Sequence, residues 1–136
     1  MKTMERKREM DTDNGISTQT AERCMEATRR FLERKGYEIL GTDYACGAGV
    51  ADVIALDDGA LCFIGVQVSS GTEEGLPVED VTPQRREVWE RVAICYLAEH
   101  AANPGLDNVS VRFDLISVIA VSDSRMFLRH HVNALA

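Results

Sequence analysis

Asp52 stands in the middle of an apolar run, Val50-Ala51-Asp52-Val53-Ile54-Ala55-Leu56. Aspartate is depleted in strands, and a carboxylate buried there is costly unless a donor, water or a cation compensates it. A second apolar run, Ala60 to Val68, follows, and Asp58-Gly59 between the two is a strong two-residue hairpin signal. With these two residues as the loop, Asp57 pairs with Ala60 and paired positions sum to 117. Asp52 then faces Gly65, and Val50 faces Gln67. Side chains alternate along a strand, so this register predicts that residues 50, 52, 65 and 67 share one face. That face offers one carboxylate, one neutral amide and a glycine with no side chain.

Other groups carry weaker signals. Glu22 lies on an expected helix, where a glutamate serves a site or simply faces water. Arg85, Arg86 and Arg91 fall on a later helix and could reach phosphate, although exposed helix arginines need no such purpose. His130 and His131 are neighbours on an expected strand, so they point to opposite faces and make a poor metal pair. Arg112 is expected to pair with an acidic group in the sheet. Cys24, Cys46, Cys62 and Cys95 form no C-x-x-C pair and no zinc-like spacing, so they read as buried free thiols. Trp89, Phe31 and Tyr96 suit a core stripe better than a base-stacking platform.

The elements that must position these groups follow from periodicity and breakers. Residues 1–16 show no apolar period and read as a flexible charged arm; residues 17–136 read as one domain. Ser17 or Thr18 caps a helix whose stripe includes Ala21, Cys24, Thr28 and Leu32 and which Gly36 ends. Strands are expected over Tyr37–Tyr44, Val50–Leu56 and Ala60–Val68, and a loop over Ser69–Val81. Thr82 and Pro83 suit the cap and first position of a second helix, with Val88, Trp89, Val92, Ala93, Tyr96 and Leu97 on its stripe. Asn103-Pro104-Gly105 ends it. Strands over Val109–Val121 and Arg125–Val132 complete the order α-β-β-β-α-β-β.

Composition narrows the function classes. The chain has 136 residues, 45% apolar and 27% charged, enough for one globular core. No apolar run of about 18 residues spans a membrane. Met1–Met10 lacks the apolar segment of a secretory signal, and a cytoplasmic location is expected. The net charge is −7; Met1–Glu9 carries +2, which leaves −9 for residues 10–136. That field opposes binding to polyanions, except through a local basic patch.

Several segments together resemble the YraN family, an uncharacterised bacterial group. Ala21-Glu22 resembles the start of the family's first helix. Phe31-Leu32 with Lys35-Gly36-Tyr37-Glu38-Ile39-Leu40 resembles its helix-to-strand junction. Gly49-Val50-Ala51-Asp52-Val53-Ile54-Ala55 resembles its Gly-Glu-Ile-Asp-Leu-Ile-Ala, and Phe63-Ile64-Gly65-Val66-Gln67 its Phe-Val-Glu-Val-Lys. Tyr96-Leu97, Arg112-Phe113-Asp114 and Asn133-Ala134 also match. The resemblance implies a restriction-endonuclease-like α/β fold, a three-layer core with a mixed central sheet flanked by helices, related to Holliday-junction resolvases.

In that fold class two strand carboxylates hold Mg²⁺ and a lysine stabilises the charge that develops at phosphate. Carried over to this chain, Asp52 and Glu22 remain as catalytic and metal-holding positions, Gly65 replaces the second carboxylate, and Gln67 replaces the lysine. Arg85, where the family has a lysine, and Arg86 are the implied nucleic-acid contacts. The first expectation is a degenerate nuclease-like domain without a cofactor, binding DNA or RNA weakly at most. The second is an active Mg²⁺-dependent endonuclease with a rearranged site, in which Glu73, Glu74 or Glu79 supplies the missing carboxylate. The third is a protein-interaction or homo-oligomerisation module, supported by the acidic core.

Overall fold

The computed structural model describes residues 17–69, 83–122 and 125–134. The expected arm, the expected loop with Glu73, Glu74 and Glu79, and the Thr82 cap lie outside the described residues. Helix α1 (Thr18–Arg34) starts at Ser17, whose Oγ accepts the Thr20 N–H at 3.1 Å. Its inner face buries Ala21, Cys24, Thr28 and Leu32 at three- and four-residue steps. Gly36 follows the Lys35 cap with φ of 93°, the left-handed geometry that glycine adopts without a Cβ clash.

Strands β1 (Glu38–Cys46), β2 (Gly49–Asp57) and β3 (Ala60–Ser69) form an antiparallel meander. The β2–β3 turn has Asp58 at φ 52° and Gly59 at φ 85°, the positive pair that matches strand twist in a two-residue hairpin. Helix α2 (Pro83–Glu99) returns the chain, a 3₁₀ turn (Pro104–Leu106) follows, and β4 (Ser110–Ser122) pairs parallel to β3. Strand β5 (Arg125–His131) closes the other edge, so the mixed sheet runs β1-β2-β3-β4-β5. No helix among the described residues is long and apolar enough to cross a membrane.

Two clusters make the core, one on each side of the sheet. Leu32, Val53, Ile64, Ile116 and Val118 pack under α1. Ile54, Leu61, Phe63, Trp89, Val92 and Tyr96 pack under α2. The central strands are therefore apolar on both faces, which explains their near-continuous hydrophobic runs. Val88, expected on the α2 stripe, is instead 42% exposed.

A polar hub pins the layers together. Asp114 on β4 has a fully buried side chain. Arg112 donates to both its oxygens, from Nε at 3.0 Å and Nη2 at 2.9 Å. The Asn133 N–H donates to it at 2.8 Å, and His130 Nε2 lies 2.9 Å away. Lys35 Nζ is 3.0 Å from His130 Nδ1. An ammonium can only donate, so Nδ1 accepts and Nε2–H points at Asp114. Arg112 also donates to Asp57 at 3.2 Å and to the Tyr37 hydroxyl at 2.6 Å. Burial raises the Tyr37 pKa to about 12.

Burial pushes the Asp114 carboxyl up, but donors from His130, Arg112 and Asn133 outweigh it and hold it below the ordinary aspartate range. With the folded-state pKa depressed, this contribution to stability is complete above the unfolded value and drains as pH falls below about 4. Asp114→Ala, which takes from Arg112 its closest carboxylate in a largely buried site and leaves it the more distant Asp57, is expected to cost about 3 kcal/mol in urea unfolding at pH 7. The acid limb of its stability profile should also be shallower than that of the native chain.

Candidate functional site

The 117 register holds from Asp57↔Ala60 to Val53↔Ile64. Beyond it the expected common face of residues 50, 52, 65 and 67 is broken. Ile54 packs on the α2 side and Val53 and Ala55 on the α1 side, yet Ala51 is again on the α2 side. A Cβ on Gly49 would also meet Val88 and Val92 of α2. Alternation therefore slips by one residue at Asp52. The neighbouring strand reverses its alternation at the same level without changing register: β1 pairs Thr42 with Val53 and Tyr44 with Ala51, and Asp43 between them has φ of 53°, while a register shift in β1 lies earlier, between Ile39 and Gly41. A left-handed non-glycine residue re-aims its strand, as a bulge does.

The slip gives Asp52 its role in the sheet. The residue is 4% exposed, and its Oδ2 accepts the Val66 N–H of β3 at 2.7 Å. The carboxylate thus takes a backbone donor just past the Val53↔Ile64 rung of the β2–β3 ladder. Such a charge-assisted bond is stronger than a neutral one and offsets part of the desolvation cost.

Gly65 turns toward α2, and its space is filled. A Cβ there would lie 3.0 Å from Trp89 Cζ2 and 3.1 Å from Leu115 Cδ2. A glycine inside an apolar strand marks the close approach of another group, and here the group is the indole. Trp89 was legible as core; its place over Gly65 was not.

Gln67 lies further along β3, paired in register with Ser117 of β4. Among the described residues, neither Gln67 Oε1 nor Ser117 Oγ, both buried, has a hydrogen-bond partner. Ser117 escaped sequence reasoning, although a serine inside Leu115-Ile116-Ser117-Val118-Ile119 gives the same kind of signal as Asp52. Glu22 is exposed on α1, on the other side of the sheet from Trp89. Arg85 and Arg86 sit in the first turn of α2, half-buried and exposed respectively. Among the described residues, no three His, Cys, Asp or Glu side chains converge as metal ligands would.

The remaining sequence signals resolve cleanly. His130 joins the Asp114 hub, and its ring meets Phe31 and Tyr37 edge-on. Among the described residues no disulfide joins the cysteines; Cys24 and Cys62 are buried, Cys46 and Cys95 only partly so. The latter two, far apart in sequence, hydrogen-bond across β1 and α2, and this contact raises the Cys95 pKa.

Element order, a mixed five-stranded sheet and helices on its two faces define a three-layer α/β domain. More particularly, the chain belongs to the uncharacterised protein family UPF0102, whose family model matches residues 25–118. A UPF0102 protein of Chlorobaculum parvum is 38% identical over 104 residues, covering 75% of this chain and 76% of its own. One from Chlorobium phaeobacteroides is 41% identical over 90 residues, covering 66% and 68%. One from Symbiobacterium thermophilum is 32% identical over 119 residues, covering 88% and 98%.

Two outcomes check this geometry. Asp52→Ala leaves the Val66 N–H without its acceptor and should destabilise the fold by about 1–3 kcal/mol, with Asp52→Asn costing less, in urea unfolding. Gly65→Ala should cost about 1–3 kcal/mol by overpacking against Trp89. In a double-mutant cycle Trp89→Leu should relieve part of that cost, giving a coupling energy above about 0.5 kcal/mol.

Proposed function

We propose that this domain keeps a nuclease-like scaffold without phosphodiesterase turnover. The observation that carries the reading is the occupied space over Gly65. In the implied site a second carboxylate stands there; in this chain Trp89 fills it. The adjoining carboxylate, Asp52, spends one oxygen on the sheet itself. Gln67 offers a neutral amide where the resemblance implies a lysine.

This donor set does not fit a divalent cation. Mg²⁺ demands near-octahedral oxygen ligation, commonly anchored on one or two carboxylates. One buried carboxylate already engaged by an N–H, beside a glycine backed by indole, is a poor anchor. Losing one preorganised electrostatic group typically costs about 10²–10³ in rate, and here a ligand and a cation are both replaced. Residual contact with DNA or RNA falls to Arg85 and Arg86 at the start of α2, against an unfavourable bulk charge of −7.

The test is a cleavage assay on linear and branched DNA with Mg²⁺ or Mn²⁺. No metal-dependent product is expected, and calorimetric titration with Mn²⁺ should give no heat assignable to Asp52. Cutting that Asp52→Ala abolishes would overturn the reading and favour an active, rearranged endonuclease. A gel-shift at low salt is expected to show weak DNA binding that fades as salt rises and drops further in Arg85→Ala/Arg86→Ala.

A further inference from the structure

β5 is the last strand of the sheet, and among the described residues no strand pairs with its outer edge. Beside it, on the α1 side, a groove of about 310 Å³ is lined by Ala27, Arg30, Phe31, Arg34, Met126 and Leu128. Phe31, Met126 and Leu128 provide apolar surface, and Arg30 and Arg34 bring two guanidinium groups from α1. On the opposite face of β5, Arg125 and Arg129 are exposed and flank Phe127, which is 60% exposed. Charge is segregated here. Residues 18–35 carry five cations and three carboxylates, and residues 125–134 carry two arginines and no carboxylate, within a chain of net charge −7.

We propose that β5 accepts an extended peptide, acidic at both ends of an apolar centre, as a sixth strand of the sheet. Strand addition uses the free backbone groups of an edge for affinity and alternating side-chain pockets for selectivity. The register of β5 dictates the pattern. Met126 and Leu128 pair with Ala120 and Val118 of the α1-side core, so they face the groove, while Arg125, Phe127 and Arg129 face the other way. A fitting peptide places carboxylates opposite Arg125 and Arg129, apolar residues opposite Met126 and Leu128, and an aromatic residue opposite Phe127.

Charge and shape select this occupant over the others. A second copy docking the same edge antiparallel would crowd the arginines of two β5 strands, and like charges across a strand pair are destabilising. Nucleic acid would engage guanidinium groups through phosphate but has no use for an apolar floor or a backbone edge. Arginines alone would blunt an edge against aggregation, but blunting calls for neither the groove nor an exposed Phe127.

The probe is a fluorescein-labelled Ser-Glu-Val-Tyr-Val-Glu-Ser peptide, read by anisotropy against the full chain. Saturable binding is expected, weakened about tenfold or more in Arg125→Glu/Arg129→Glu and also reduced in Arg34→Glu, all at exposed positions. N-methylating alternate peptide amides should abolish binding in one phase and spare it in the other, because only one set of N–H groups joins the ladder. Equal affinity for a scrambled peptide, or indifference to both methylation phases, would overturn strand addition. No peptide binding would overturn it too. Duplex DNA binding or concentration-dependent dimerisation, lost in the same double variant while the peptide fails to bind, would reassign the edge to nucleic acid or to a second copy.

Discussion

The buried carboxylate of Asp114 is the constraint around which the fold is arranged. It lies on a central strand and is reached by donors from its own strand, from β5 and from the turn after β5. Through Arg112 it extends to Asp57 at the hairpin end of β2 and to Tyr37 at the α1–β1 junction. Through His130 it extends to Lys35 at the end of α1. An unpaired carboxylate at that depth would be very unfavourable, so the elements that supply donors must arrive together. Its cost thereby becomes specificity for one arrangement of α1, β2, β4 and β5.

The strand pair on the α2 side obeys a different constraint. Asp52 is also a buried carboxylate, and it accepts a backbone N–H at the point where alternation slips. Close packing accounts for its neighbour. Interiors leave few voids, and removing a side chain at position 65 without filling the gap would leave a cavity. Trp89 occupies that volume, so Gly65 and the indole act as one packing unit. The contact over Gly65 is closed and mostly apolar.

Charge divides the molecule in a way its net value hides. The overall −7 masks a cationic strip along the outer side of α1 and β5. Exposed pairs such as Arg29 with Glu26 and Arg91 with Glu87 add little to stability. The placement of charge on the open edge of the sheet bears on association, since exposed charges act chiefly through partner choice and approach.

Periodicity and breakers made the fold legible. Ser17, Gly36, Asp58-Gly59 and Pro83 act locally, through caps, turns and fixed dihedrals, so the elements and the hairpin register up to Val53 could be read without a partner in view. Arg112 was expected to meet an acid in the sheet and does. The site was only half legible. Asp52 announced itself by its cost in an apolar run, but its direction depends on the slip at Asp43 and Asp52, which no alternation rule anticipates. The vacancy expected at Gly65 was a statement about one side chain. Whether it is a vacancy depends on which atoms of a helix more than twenty residues later lie above it, and that is decided only by tertiary packing. The sequence by itself determined the secondary elements, their order and the family; the three-dimensional structure decided what Asp52 binds and what fills the space beside it, because both are contacts between residues distant along the chain.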